Sequence, residues 1–509
     1  MTATAATPEE VQAGSDLPLP FWQRFSDRVN PILVRELQQS LRSRSLTSAL
    51  FCALIVLFAL AGVIGVMSLD DRELTETGRG AFMACFGCLM PFLTLLLPLQ
   101  AFFSMMHEVR DGTAELLLLS KLTPREIVRG KLQAAGVLFV LFLALFAPSM
   151  ALTWLLRGVS VAMIVMACIF ALLSALTCSS LAIAAGSLAR ARQVTPLLIA
   201  LIALGLAGIT IAAIASGVRL IETIERYPGR EILVVLGSIG LSLISALWLF
   251  ALVARSQLTH PVENRATPFR ILFAALVPIL CGWIMIAVER PDWPEAFATF
   301  GVAFNLFFVV PALIISTEED GLSPRVRNLV PKRLALPSAP WLPGGKLGIV
   351  YVVCLEIVVV GLSLGIPALL GFGASRGTVA WRTCWLLGSA LYLLIYTAIG
   401  SCYRSLLGPG VAKSWLARTM TVTTFALLMI LPLLVQALFS RRVDGWSFLH
   451  IMNPFWTIDW FDGKPGDQAK LYLALGAIAF GLLVLQLPGI RRAVREVLAA
   501  SRARATATS

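Results

Sequence analysis

The sequence predicts an all-α fold, a polytopic membrane bundle of about twelve transmembrane helices in two six-helix halves. Three observations predict it. Only 14% of the 509 residues are charged while 58% are hydrophobic, against about a quarter charged in soluble domains. Twelve apolar windows approach or exceed the roughly 20 residues that cross a bilayer as helix: 46–69, 80–106, 132–156, 158–189, 194–218, 232–254, 271–288, 296–317, 347–375, 383–403, 419–440 and 471–490. Polar residues do not alternate within these windows as they would in a membrane β-barrel.

Residues 1–45 form a polar cytoplasmic segment with no short basic leader before the first window, so the first span is expected to act as an uncleaved anchor. Within it, NPILVRELQQSLRSR carries Ile32, Leu33, Leu37 and Leu41 at helical spacing, with Arg35, Glu36, Arg42 and Arg44 mostly on other faces. An interfacial amphipathic helix is expected there. The first half runs over 46–254, a cytoplasmic joint with two prolines over 255–270, a divergent second half over 271–490, and a basic tail over 491–509. Each half places its longest inner loop after its second span and its longest outer loop after its fifth, the two-half plan common in transporters.

With both termini inside, the inner segments hold 28 Lys/Arg and the outer loops 13, while acids divide evenly at 14 and 14. That bias sets orientation by the positive-inside rule. The formal charge of +12 therefore reads as topology and contact with the lipid bilayer. Nucleic acid is an unfavoured partner, because the arginines are dispersed over short loops. All nine cysteines fall in or at apolar windows. Cys85 and Cys88 have CxxC spacing but no neighbouring ligands, so no metal site is expected.

The charged insert 107–131, HEVRDGTAELLLLSKLTPREIVRGK, is the segment that bears on function. Residues 108–120 favour helix, with Glu108 and Asp111 expected in its first turn and Gly112 as its weak point. Thr123 is a good N-cap, Pro124 suits the first helical position, and Glu126 completes a capping box. The insert thus reads as a short helix, a sharp joint and a stiff continuation into the third span.

Glu108, Arg110, Gly112, Thr113, Glu115, Leu116 and Leu117, followed by Thr123, Pro124, Glu126, Ile127, Gly130 and Lys131, resemble the coupling region of type-2 ABC exporter permeases. NPILVRELQQSLRSR resembles that family's connecting helix, so the resemblance covers about residues 20–255. It implies a permease subunit of a bacterial cytoplasmic (inner) membrane exporter, driven by a separate nucleotide-binding ATPase subunit that carries the ATP and magnesium. Residues 108–119, Asp111 among them, would sit in a cleft of that ATPase, with Arg110 and Glu115 as ion-pair candidates. The Thr123-Pro124 joint would carry the movement inward.

The chain itself shows no catalytic or cofactor motif. GPGVAKS at 408–414 and PGGKLG at 343–348 lack the spacing or hydroxyl of a phosphate-binding loop. The second inner loop, 317–346, keeps Glu318, Glu319, Asp320 and Gly345-Lys346, but five prolines preclude one continuous helix. A second copy of this chain or a related permease as partner therefore stays open.

Glu356 is the single ionisable residue within the twelve windows, about 15 Å into its span. It reads either as a cation-contact or proton-linked gating residue, or as a hydrogen-bonded structural acid. Asn305 and prolines 91, 98 and 311 are further candidates for a translocation path or for kinks. The aromatic outer loop from Arg441, with Trp446, Phe448, Phe455, Trp456, Trp460 and Phe461, suits an interfacial belt. By the resemblance it would form short re-entrant helices; His450 reads as a loop residue. The rivals to the exporter reading are an ion-coupled secondary transporter with Glu356 as coupling residue, and a non-transporting scaffold.

Overall fold

The computed structural model describes residues 30–70, 74–113, 122–156, 159–189, 195–226, 230–260, 263–328, 330–331, 335–370, 378–408, 410–439, 448–461 and 465–506. Among them every extended element is a helix, and twelve are long and apolar enough to cross a membrane. The chain is an all-α, multi-pass membrane protein. Its contacts divide it into two compact units, Met1–Leu258 and Thr259–Ser509, with the boundary inside the 255–270 segment.

In the first unit, α1 (Pro31–Arg42) is followed by α2 (Arg44–Asp70), α3 (Leu74–Pro91), a π-helical turn (Phe92–Leu96), α4 (Leu97–Arg110), α5 (Pro124–Leu155), α6 (Val161–Leu188), α7 (Thr195–Arg226) and α8 (Arg230–Leu258). The π turn lies between Pro91 and Pro98, whose missing N–H groups break the regular ladder. Thr94 Oγ1 in that turn lies 2.8 Å from the Met90 carbonyl and 2.9 Å from Thr210 Oγ1 of α7, within reach of both for its single O–H. The core is built of phenylalanines 82, 86, 142, 146 and 170 with small residues of α6. Helix α6 packs along α4 and α8.

The second unit contains α9 (Thr267–Ala287), α10 (Trp293–Ser316), α11 (Pro324–Arg327), α12 (Ala335–Ser338), α13 (Gly345–Leu369), α14 (Thr378–Leu407), α15 (Val411–Phe439), α16 (Pro454–Phe461) and α17 (Pro465–Thr506). The 42 residues of α17 extend about 63 Å, twice a bilayer core. Its far end, 493–501, packs on the 322–342 loop through Val497, Val326, Val330 and Leu342. Arg327 pairs with Glu496 at 2.7 Å, and Arg504 donates to the Val330 carbonyl. Among its described residues the prolines of that loop leave the single turns α11 and α12 and a 3₁₀ turn (Ala339–Trp341), against which the tail helix packs. The aromatic loop before α17 forms a 3₁₀ turn (Phe448–Met452) and α16, pinned by the Tyr392 and Tyr396 hydroxyls donating to the Ile451 and Met452 carbonyls. His450 is buried there, stacked on Trp456. Trp446 lies outside the described residues.

All nine cysteines are free. Cys52 and Cys354 are exposed on their helices.

Candidate functional site

The joint into α5 is built as its residues dictate. Thr123 Oγ1 accepts from the Glu126 N–H at 3.3 Å, while Glu126 Oε2 accepts from the Thr123 N–H at 2.8 Å. That is a complete capping box, with Pro124 at the first helical position. Two donors otherwise orphaned at a helix start are satisfied reciprocally.

On the opposite side of the insert, α4 stops at Arg110. Asp111 closes the helix through its N–H to the His107 carbonyl, and Gly112 follows with φ +70°, the left-handed residue of a helix C-terminus. Gly112 is thus a stop signal where a weak point inside a 108–120 helix was expected. Glu108 lies in the last turn of α4, not the first turn of a new helix. Thr113 Oγ1 donates to the Glu108 carbonyl at 3.2 Å. Arg110 and Asp111 are exposed. Glu115, Leu116 and Leu117 lie outside the described residues.

A carboxylate at a helix C-terminus is disfavoured by the helix dipole, and Glu108 is also buried. Lys131 compensates both. Its Nζ lies 2.7 Å from Glu36 Oε1 and 3.0 Å from Glu108 Oε2, and donates to Ser104 Oγ at 2.7 Å. Ser104 in turn donates to Glu36 Oε2 at 2.8 Å, and Arg35 stands 3.6 Å from Glu108. The Lys131 side chain is 1% exposed, Glu36 8% and Glu108 7%. One ammonium therefore ties α1, α4 and α5 together.

Two observations bear on the sequence reading. Glu108 is buried within its own unit against Lys131. Glu36 shares the buried face of α1 with Ile32, whereas Leu41 is exposed.

Gly130 shows why the clasp closes. A Cβ there would lie 2.8 Å from Ile32 Cβ and 2.9 Å from Asn30 Nδ2, so only glycine lets α1 lie this near α5. Asn30 caps α1 by accepting from the Ile32 N–H and donates to the Glu126 carbonyl at 2.8 Å. Ile127 joins Ile32 and Met105 in a buried cluster. The sequence pattern T-P-x-E-I-x-x-G-K is thus a cap followed by a seat for α1. Glu36 and Ser104 were missing from the residues singled out as functional, and Lys131 was named only as the last residue of the motif. The available signal was the four-residue spacing of Ile32 and Glu36, an acid on the apolar stripe.

Asn305 and Glu356, separate in sequence, are neighbours. With the Asn305 amide oriented to satisfy both of its sides, its nitrogen donates to Glu356 Oε2 at 3.1 Å and its oxygen accepts from Ser389 Oγ at 3.0 Å. Both residues are buried, 1% and 2% exposed. They link α10, α13 and α14 beside an apolar cavity of about 270 Å³ that Asn305 and Ser389 help line. Three or more metal-ligating side chains do not cluster anywhere among the described residues.

Comparison with protein-family models, curated proteins and solved structures gives no match.

Proposed function

We infer that this chain is the transmembrane permease subunit of an ATP-binding cassette exporter. It moves its substrate out of the cytoplasm with ATP hydrolysed on a separate nucleotide-binding subunit docked on residues 107–131. The observation that carries this reading is the Glu36–Lys131–Glu108 clasp. It fastens the connecting helix and two spans to one another at the base of the insert whose residues resemble a coupling region. A displacement imposed on Arg110–Thr113 then reaches α1, α4 and α5 as one body, because breaking the buried pair would strand a charge. The capped joint at Thr123 stiffens the same connection. The termini and the insert face the cytoplasm in this reading, and the membrane is the bacterial inner membrane.

The test is capture of the partner. Glu115→Lys is expected to abolish co-purification with a nucleotide-binding protein while leaving the permease folded. Retention of the partner by the folded variant contradicts the docking site.

The Asn305–Glu356–Ser389 cluster favours a second reading, an ion-coupled transporter. It expects proton movement, followed by a pH-sensitive dye, across vesicles holding the purified protein alone and an imposed sodium gradient. Identical traces from Glu356→Gln would count against it.

A further inference from the structure

Lys346 lies in the first turn of α13 and is 7% exposed, yet no carboxylate stands within ion-pair distance of its ammonium among the described residues. Its Nζ donates to three neutral oxygens: Ser401 Oγ at 2.9 Å, Ser405 Oγ at 2.6 Å, and Gln486 Oε1. Gly489 makes room for it, since a Cβ there would lie 2.8 Å from Lys346 Cε. One turn along α14, Arg404 is 5% exposed, donates to the Gly408 carbonyl, and leaves its buried Nε without a partner. Two buried cations whose side-chain hydrogen bonds go only to neutral groups are costly.

Both line a cavity of about 680 Å³ that also receives Arg492 of α17. Three carboxylates share the cavity wall, and each already accepts from other donors. Glu319 accepts from the Gly410 N–H, Asp320 from the Lys346 N–H, and Glu496 from Arg327 and the Leu322 N–H. The lining holds three cations and three acids, but Glu496 is already paired with Arg327, which stands outside the cavity wall. The cavity rim is apolar: Leu406 is 82% exposed and Leu485 70%. All three walls lie where apolar windows end, at residues 346, 404–406 and 485–492, the depth of a lipid headgroup.

We propose that this cavity binds the phosphate headgroup of an anionic phospholipid. The phosphate meets Lys346, Arg404 and Arg492, and the acyl chains run over Leu406 and Leu485. The shared chemistry is a phosphate oxyanion completing the buried cations with charge-assisted hydrogen bonds. The apolar rim commits the site to a lipid source over a free anion, and basic pockets between membrane helices hold acidic headgroups in this way. The proposal is independent of the exporter reading.

The experiment uses the full-length protein, purified in a neutral detergent and stripped of lipid, with binding read by native mass spectrometry. The probes are phosphatidylglycerol, phosphatidylcholine and glycerol 3-phosphate. Phosphatidylglycerol is expected to bind in preference to both others. Arg404→Gln and Arg492→Gln are each expected to weaken it about tenfold, the loss of one charged hydrogen bond. Arg492 is exposed and makes no hydrogen bond or ion pair among the described residues, so its variant reports even where Arg404→Gln fails to fold. Equal binding of phosphatidylcholine, or phosphatidylglycerol binding indifferent to Arg492→Gln, overturns the site. Glycerol 3-phosphate binding as tightly as the lipid overturns the lipid source.

Discussion

Lys131 and Lys346 occupy matching places, each after a glycine and each in the opening turns of the third span of its half. Lys131 meets two carboxylates and a serine; Lys346 meets two serines and a glutamine amide. The acid that closes the second span has also changed partner. Glu108 goes to Lys131, whereas Glu318 goes to Arg270, a fully buried arginine of α9, at 2.9 Å. Arg270 also donates to the Pro340, Leu342 and Gly344 carbonyls, so it shapes the proline-rich loop directly. The first half therefore uses its ammonium to hold a separate helix, α1. The second half uses a guanidinium to fold the loop upon itself and leaves its ammonium facing a cavity. Equivalent residues do not carry equivalent roles once their counter-charges are exchanged.

The largest expected effect separates the two lysines. Lys131→Met leaves Glu36 buried without a cation and Glu108 with only the more distant Arg35 at 3.6 Å, and is expected to cost about 3–5 kcal/mol. Lys346→Met leaves only neutral groups and is expected to cost about 1–3 kcal/mol. Chemical unfolding in detergent, followed by tryptophan fluorescence, reads both; equal losses would erase the distinction. Adding Glu36→Gln to Lys131→Met should recover part of the first loss, as a coupled pair requires.

A smaller effect is expected at the glycine preceding Lys131. Gly130→Ala forces its Cβ against Ile32 and should cost about 1–3 kcal/mol by overpacking. Because α1 is what must move, limited proteolysis near residues 30–43 should accelerate in this variant. Unchanged cleavage would show that α1 is not seated there. Smallest is the cap: Thr123→Ala should cost about 1 kcal/mol in the same unfolding measurement. An unaltered midpoint would mean that the joint does not depend on its capping box.

Much of the fold was legible because hydrocarbon permits few solutions. Long uncharged runs must be helices, and the twelve windows locate the twelve membrane helices to within a few residues at most ends. The Thr123 cap was legible for the same local reason, since its chemistry is confined to four consecutive residues. The clasp was not, because its partners lie 95 residues apart and apolar periodicity assigns an acid such as Glu36 to the wet face. Helix α4 was misread at its end, since Glu108 and Asp111 look like N-terminal acids until Lys131 is known to stand opposite. The pairing of Asn305 with Glu356 depends on three helices meeting, which no local pattern encodes.

The central claim is that a motor subunit grips the first insert, and a photo-crosslinking amino acid at Asp111, exposed at the end of α4, tests it most directly. A matched probe at Arg325, 69% exposed on the loop of the second unit, serves as the comparison. On irradiation in cells, the account expects the Asp111 probe to capture a protein bearing a nucleotide-binding motif and the Arg325 probe to capture none. Capture of no such protein at Asp111, or labelling of Asp111→Cys by a membrane-impermeant thiol reagent added outside intact cells, would contradict it.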